Sequence, residues 1–254
     1  MQSQSQSPPL PGQLRQIGTL FRRELGAIVR TPSGWIIAAT VLLVDGLLFN
    51  AFAVGTGAKL SSKVVEDFFY FAAGTTMIAS VLLAMRLLAE DRASGAMALL
   101  LSSPIDEVAI VLGKYLAAWT YLAGLTAISL ALPALVMING KVSFGHVLAG
   151  ALGLLLLGGA TLALGTLASS LARSQLVAGV LGAALVVVLL LAWLLAKVSD
   201  PPLKAVLQHL ALFDAHFRPL QRGLLRLSDV VFFASVIAFS LGAATRVLGH
   251  QRWS

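Results

Sequence analysis

The chain has 254 residues, 58% of them hydrophobic and only 11% charged, with 18 Lys and Arg against 11 Asp and Glu. Soluble domains are about 25% charged and must present polar surface to water, so the composition excludes a soluble globule, a disordered chain and a coiled coil. A formal charge of +7 then fits the basic flanks of membrane spans better than a nucleic-acid partner, and the absence of cysteine rules out disulfides, thiolate metal sites and a cysteine nucleophile.

Residues 1–12 are polar, repetitive and proline-rich and read as a disordered tail with no signal-peptide pattern. Residues 13–31 differ. Leu14, Ile17, Leu20, Leu25 and Ile28 recur at helical spacing, while Arg15, Arg22, Arg23 and Arg30 fall mainly elsewhere on the wheel, with Glu24 among them. This pattern predicts an amphipathic helix lying in the membrane interface, ended by Thr31-Pro32 because the residue before proline avoids the α region.

A membrane-spanning helix needs about 20 mainly apolar residues. Six stretches qualify, at about 35–54, 68–88, 115–137, 147–169, 174–196 and 230–248. They are continuous, where barrel strands would alternate over about ten residues, so the expected fold is an all-α membrane protein. With the N-terminus in the cytoplasm, the inner segments hold ten Lys and Arg and the outer ones eight. The four arginines before the first span place both termini inside.

Two connections exceed what six spans need. The outer one, 199–228, starts with Ser199-Asp200-Pro201, a helix-start pattern, and continues with an apolar face of Leu203, Val206, Leu207 and Leu210. It reads as a pair of short helices capping the outer mouth or as a surface-bound loop. The cytoplasmic one, 89–106, opens with Glu90, Asp91 and Arg92 beside Arg86, which is one helical turn from Glu90. Gly95 permits a turn, and Met97, Leu99, Leu100 and Leu101 form an apolar patch ending at Ser103-Pro104. Such a patch needs either a protein partner or a place beneath its own bundle.

Within the spans, Asp45 is a carboxylate at bilayer depth, with Asn50 five residues on. Its insertion costs roughly 2.5–3.5 kcal/mol, so it marks either a translocation pathway or an interhelical lock. Small residues crowd spans four and five (Gly150, Gly153, Gly158, Gly165, Gly179, Gly182) and predict close helix packing. No phosphate-binding loop, zinc-protease motif or nucleophile elbow occurs, and the four histidines are too scattered to suggest a metal. Asp45 lacks a second carboxylate or nucleophile at matching depth, which argues against an intramembrane enzyme.

The chain resembles the membrane subunits of ABC-2 type transporters, particularly the gliding-motility and nitrous-oxide-reductase-maturation permeases. The likeness rests on Phe21-Arg-Arg-Glu24-Leu25 through Thr31-Pro32, on Glu90-Asp91-Arg92-x-x-Gly95 through Ser103-Pro104, on Val111-Leu112-Gly113-Lys114-Tyr115, on His216-Phe217 through Arg222-Gly223, and on Asp229-Val-Val-Phe-Phe233 with the terminal Gln251-Arg252-Trp253. The resemblance implies a type V exporter-like fold: a connecting helix, six spans, a coupling helix at 89–106 and short outer helices before span six. It implies that Glu90, Asp91, Arg92, Gly95, Met97, Leu99, Leu100 and Pro104 couple to a cytoplasmic ABC ATPase, present in two copies, that binds ATP and magnesium. It also implies a second permease copy or a homologue. No catalytic residue, cofactor or metal is expected on this chain. Where the family usually carries Thr and Glu, this sequence has Ala96 and Ala98. The expected function is a non-catalytic permease of the bacterial cytoplasmic membrane, in contact with lipid. The alternative is an ATPase-driven scaffold that acts on an extracytoplasmic partner without moving a solute.

Overall fold

In this computed structural model residues 11–55, 59–102 and 105–252 are described, with the backbone alone for 11, 98, 99, 101, 139 and 252. Among the described residues there are helices and no strand. Six helical segments are long and apolar enough to cross a membrane: Pro32–Val54, Ser61–Ala93, Glu107–Ile138, Phe144–Leu171, Gln175–Val198 and Leu227–Gln251. They match the six expected stretches but mostly run longer. At 1.5 Å per residue, a helix of about 30 residues exceeds the hydrocarbon thickness by half. The added turns are polar or amphipathic, which a search for continuous apolar sequence passes over.

The expected tail falls outside the described residues as far as residue 10, and helix α1 (Pro11–Arg30) already begins at Pro11. Its arginines Arg15, Arg22, Arg23 and Arg30 are exposed, and another side of the helix packs on protein. It runs alongside α6 (Glu107–Ser129) in the same direction. Gln13 donates to Asp106 at 2.6 Å, Leu20 is buried at Gly113, and Glu24 meets Lys114. A Cβ on Gly113 would come within 2.8 Å of the Leu20 Cβ, so glycine is what lets the two helices touch. The apolar stripe of α1 therefore has a protein surface to cover.

Helix α2 (Pro32–Leu48) starts with proline at its first turn and continues into a π-helical turn, Phe49–Val54, that ends at Gly55, where φ is +57°. Helix α3 (Ser61–Leu87) returns toward α1. Helix α6 then leads outward again and breaks at Leu130 into α7 (Ala131–Asn139). Pro133 lacks the N–H that would bond Ser129, which accounts for the break. Helix α8 (Phe144–Leu171) returns, α9 (Gln175–Val198) leaves, and α12 (Leu227–Arg252) comes back. α1 and the last turn of α12 thus lie at one end, here termed the elbow end. The other end carries a cap built from residues 199–226.

α8 is the hub. It packs on α3, α6, α9 and α12 and is the most buried of the six spans. Its small residues explain this. Gly150 seats the Phe69 ring, Gly158 faces Leu122 and Thr76, and Gly165 meets Ala84. Wherever α8 lacks a side chain, a neighbour fills the space, so the glycine-rich run packs within the bundle.

In the cap, helix α10 (Leu203–Leu210) starts later than Ser199-Asp200 suggests. Ser199 closes α9 and donates back to the Leu195 carbonyl at 2.8 Å. A π-helical turn, Leu212–Phe217, and α11 (Arg218–Gln221) follow, and the chain reverses at Gly223 with φ +82°. Leu212, Phe217 and Leu220 are fully buried under α3 and α8, so this part of the cap is folded onto the bundle. α10 keeps its apolar face open, with Leu203 and Val206 exposed.

Replacing Gly150 with Ala places a Cβ 2.2 Å from a Phe69 ring carbon, whereas Gly124 has nothing within 4 Å. Gly150→Ala is expected to lower stability by about 1–3 kcal/mol through overpacking. Gly124→Ala is expected to be neutral or slightly stabilising, as thermal unfolding in detergent would measure.

Candidate functional site

Two short helices, α4 (Ala89–Ala93) and α5 (Ala96–Ser102), make the elbow between α3 and α6. This corrects the expectation of a single helix over 89–106. The chain turns at Gly95, where φ is +76°, and Asp106 already caps α6 by accepting from the Val108 N–H.

Of the three charges that open the elbow, Asp91 and Arg92 point inward. Lys114, whose side chain is 3% exposed, stands between Glu24 of α1 and Asp91 of α4, each at 2.9 Å. One buried ammonium thus joins the connecting helix, the elbow and span three. A lysine this deep is tolerable only with its carboxylates in place. Arg92 reaches the end of α8, bonding the carbonyls of Ser170 and Ala172 at 2.5 Å and the Gln251 side chain at 2.7 Å. It thereby covers carbonyls that the end of α8 leaves unpaired, where positive charge is favoured. In return, the Ser169 hydroxyl accepts from the N–H groups of Leu88 and Ala89 at 3.1 and 3.0 Å, capping the start of α4. Arg86 pairs with Glu90 at 2.9 Å, as their spacing predicts, and also donates to Ser33 at the start of α2.

The apolar residues also turn inward. Met97 and Leu100 are buried in the core formed with α1 and α6, so the expected apolar docking patch is not presented by these two side chains. They cover the bundle's own underside because α1 provides a surface for them. The Leu99 side chain and Pro104 lie outside the described residues. What faces outward is the tip, Ala93-Ser94-Gly95, together with Glu90, whose side chain is 43% exposed. Beside it is a cleft of about 310 Å³ lined by Arg23, Ser33, Arg86, Glu90, Ser94 and Lys114. A second groove of about 470 Å³, lined by Arg15, Arg23, Leu100 and Ile105, runs between α1 and the elbow.

Asp45 lies in the bundle interior. One carboxylate oxygen accepts from Thr75 of α3 at 2.5 Å and the other from Ser129 of α6 at 2.7 Å. The carboxylate thus bonds across three helices, α2, α3 and α6. Asn50 does not join it. It sits in the π-helical turn and faces outward.

The family model for ABC-2 family transporter proteins matches residues 47–218, about two thirds of the chain, including the elbow and most of the cap. The chain belongs to the ABC-2 transporter family. No curated protein matches it. An ABC-2 permease is a membrane transport component, and among the described residues no group of three or more His, Asp or Glu is placed to hold a metal ion.

Some residues central to this ABC-2 permease carried little signal in sequence. Lys114 counted as one more loop cation, yet it lies within α6 and is buried. Its position inside an otherwise apolar helix was the available clue. Ser169, Ser33 and Gln251 gave none, because their roles depend on where α8, α2 and α12 end in space. The histidines also regroup. His209 and His216 come within 5.3 Å ring to ring, and His216 contacts Asp229, although 13 residues separate those two.

Lys114→Met would strand Glu24 and Asp91, and removing one member of a buried ionic cluster costs about 3–5 kcal/mol. The triple variant Lys114→Met, Glu24→Gln, Asp91→Asn is expected to regain much of that loss. Thermal unfolding of the three proteins in detergent measures both effects.

Proposed function

We propose that this ABC-2 permease carries the motion of a separate cytoplasmic ABC ATPase into its membrane helices through the elbow, in the manner of the gliding-motility and nitrous-oxide-reductase-maturation permeases. The observation that supports this reading most is the contrast between the two sides of the elbow. The bundle side is tied to α1, α2, α6, α8 and α12 by Lys114, Arg86 and Arg92. The opposite side is the exposed tip, Ala93-Ser94-Gly95. Force applied at the tip has a stiff route into spans two, three and four, and little is lost to local bending.

In this reading the elbow end and both termini face the cytoplasm of a bacterial cell. The exposed arginines Arg15, Arg22, Arg23 and Arg30 meet anionic lipid headgroups or the ATPase. The ATPase contacts Glu90, Ser94, Gly95 and the adjoining cleft, and Asp91, Arg92, Met97 and Leu100 hold that surface in place from behind. Two permease chains and two ATPases complete the transporter. ATP enters as a ligand with unequal affinity for two conformations of the assembly, and that inequality shifts the bundle. Catalysis belongs to the ATPase, which binds ATP and magnesium.

The absence of native cysteine makes the test direct. Ser94→Cys is expected to react with a maleimide in the isolated permease and to be protected when the co-expressed ATPase is bound. Met97→Cys is expected to be slow in both states. If the permease co-purifies with no ATPase, or if Ser94→Cys labels equally with and without a bound ATPase, the docking surface is wrong.

A further inference from the structure

The cap contains a buried ionisable pair that the transport reading leaves unused. His216, in the π-helical turn Leu212–Phe217, places Nδ1 2.9 Å from an Asp229 carboxylate oxygen and Nε2 3.0 Å from the backbone carbonyl of His209. A neutral imidazole has one donor and one acceptor nitrogen. Here both nitrogens face oxygens, and neither a carboxylate nor a carbonyl can donate. Two bonds therefore need an imidazolium, or a carboxyl proton shared into the pair. In either form the pair holds one proton more than a neutral histidine beside a carboxylate. Two further contacts fit a cation. The His216 ring stacks on Phe232 with centroids 3.7 Å apart and planes 14° apart, an arrangement that favours positive charge over the ring face. The second Asp229 oxygen is buried and has no hydrogen-bond partner, so this carboxylate relies on His216 for compensation.

The geometry points to a proton-held latch: the extra proton on the His216–Asp229 pair fastens α10, through the His209 carbonyl, to the first turn of α12, and its loss releases α10. With the His209 carbonyl, the pair brings together the end of α10, the turn that follows it and the start of span six. If the proton leaves, an imidazole lone pair faces an oxygen about 3 Å away and one of the two bonds becomes repulsive. The latch is thus closed on the acid side and loosens as pH rises.

The other charged groups around the turn are accounted for. On α10, the His209 ring meets the His216 and Phe232 rings edge-on at 5.3 and 5.8 Å, its carbonyl faces His216 Nε2, and Lys204 is exposed. Asp214 and Arg218 pair with each other at 2.9 Å. On α8, His146 bonds the Gln221 carbonyl, and on α9, Lys197 lies over the Trp193 ring. Arg222 pairs with Glu66 of α3. Among the described residues, Asp229 is the carboxylate in contact with His216.

Nitroxide labels at Leu210→Cys and Val231→Cys, both exposed positions in a chain without cysteine, report the distance between α10 and α12 in the full-length permease in nanodiscs. The distance distribution is expected to be narrow at the acid end of a pH series and to gain a longer component, several-fold larger in population, at the alkaline end. His209→Gln should behave as the parent does. His216→Gln should lose the pH dependence. Asp229→Asn gives the sharper outcome: its amide can donate to Nδ1 of a neutral imidazole whose Nε2–H serves the His209 carbonyl, so α10 should stay fastened at both ends of the series. The proposal is overturned if the parent distribution does not change with pH, if His209→Gln abolishes the change, or if Asp229→Asn releases α10. None of these results depends on whether an ATPase binds the elbow.

Discussion

The elbow end of this permease is organised around one buried ammonium. Lys114 is a charge taken out of water, and it can remain so only while Glu24 and Asp91 both reach it at 2.9 Å. That requirement sets the geometry around it. α1 must lie against α6, which Gly113 permits by leaving room for Leu20. The elbow must fold back beneath the bundle, which brings Met97 and Leu100 into the core. Arg92 then falls within reach of the α8 carbonyls and Gln251. The charges that a hydropathy profile marks as a cytoplasmic loop are in fact the fastening between five helices.

The two ends of the molecule use polar contacts in similar ways. At the elbow, side chains cap helix ends that would otherwise leave carbonyls and N–H groups unpaired: Arg92 at the end of α8 and Ser169 at the start of α4. At the cap, Gln221 donates to the Glu66 carbonyl, His146 contacts the Gln221 carbonyl, and His216 links Asp229 to His209. Between them, the middle of the bundle combines close apolar packing around α8 with the Asp45 bonds to Thr75 and Ser129 and with Ser80, Tyr115 and Trp119 donating to α8 carbonyls.

Several expectations changed because a neighbour supplied a surface that no local pattern reveals. The amphipathic stripe of α1 was legible from its 3.6-residue spacing, but interface and helix partner demand the same stripe. The Met97–Leu101 patch was legible as apolar, and its burial followed from α1 lying beside it. Asp45 was conspicuous as a charge in a span, but its role turned on Thr75 and Ser129, which are 30 and 84 residues away. The outer connection read as short helices, and its start shifted because Ser199 bonds backward into α9.

The sequence by itself determined the membrane environment, the six spans, the break at Gly95, the Arg86–Glu90 pair and the family resemblance. These depend on composition, on periodicity and on residues one turn apart, all of which are local. Only the tertiary structure decided which way each charge points. It put Lys114 between two carboxylates, Arg92 on the end of α8, and His216 against Asp229. An ionisable group in a protein of low charge takes its role from what lies within about 3 Å, and those partners come from segments that meet only when the helices pack.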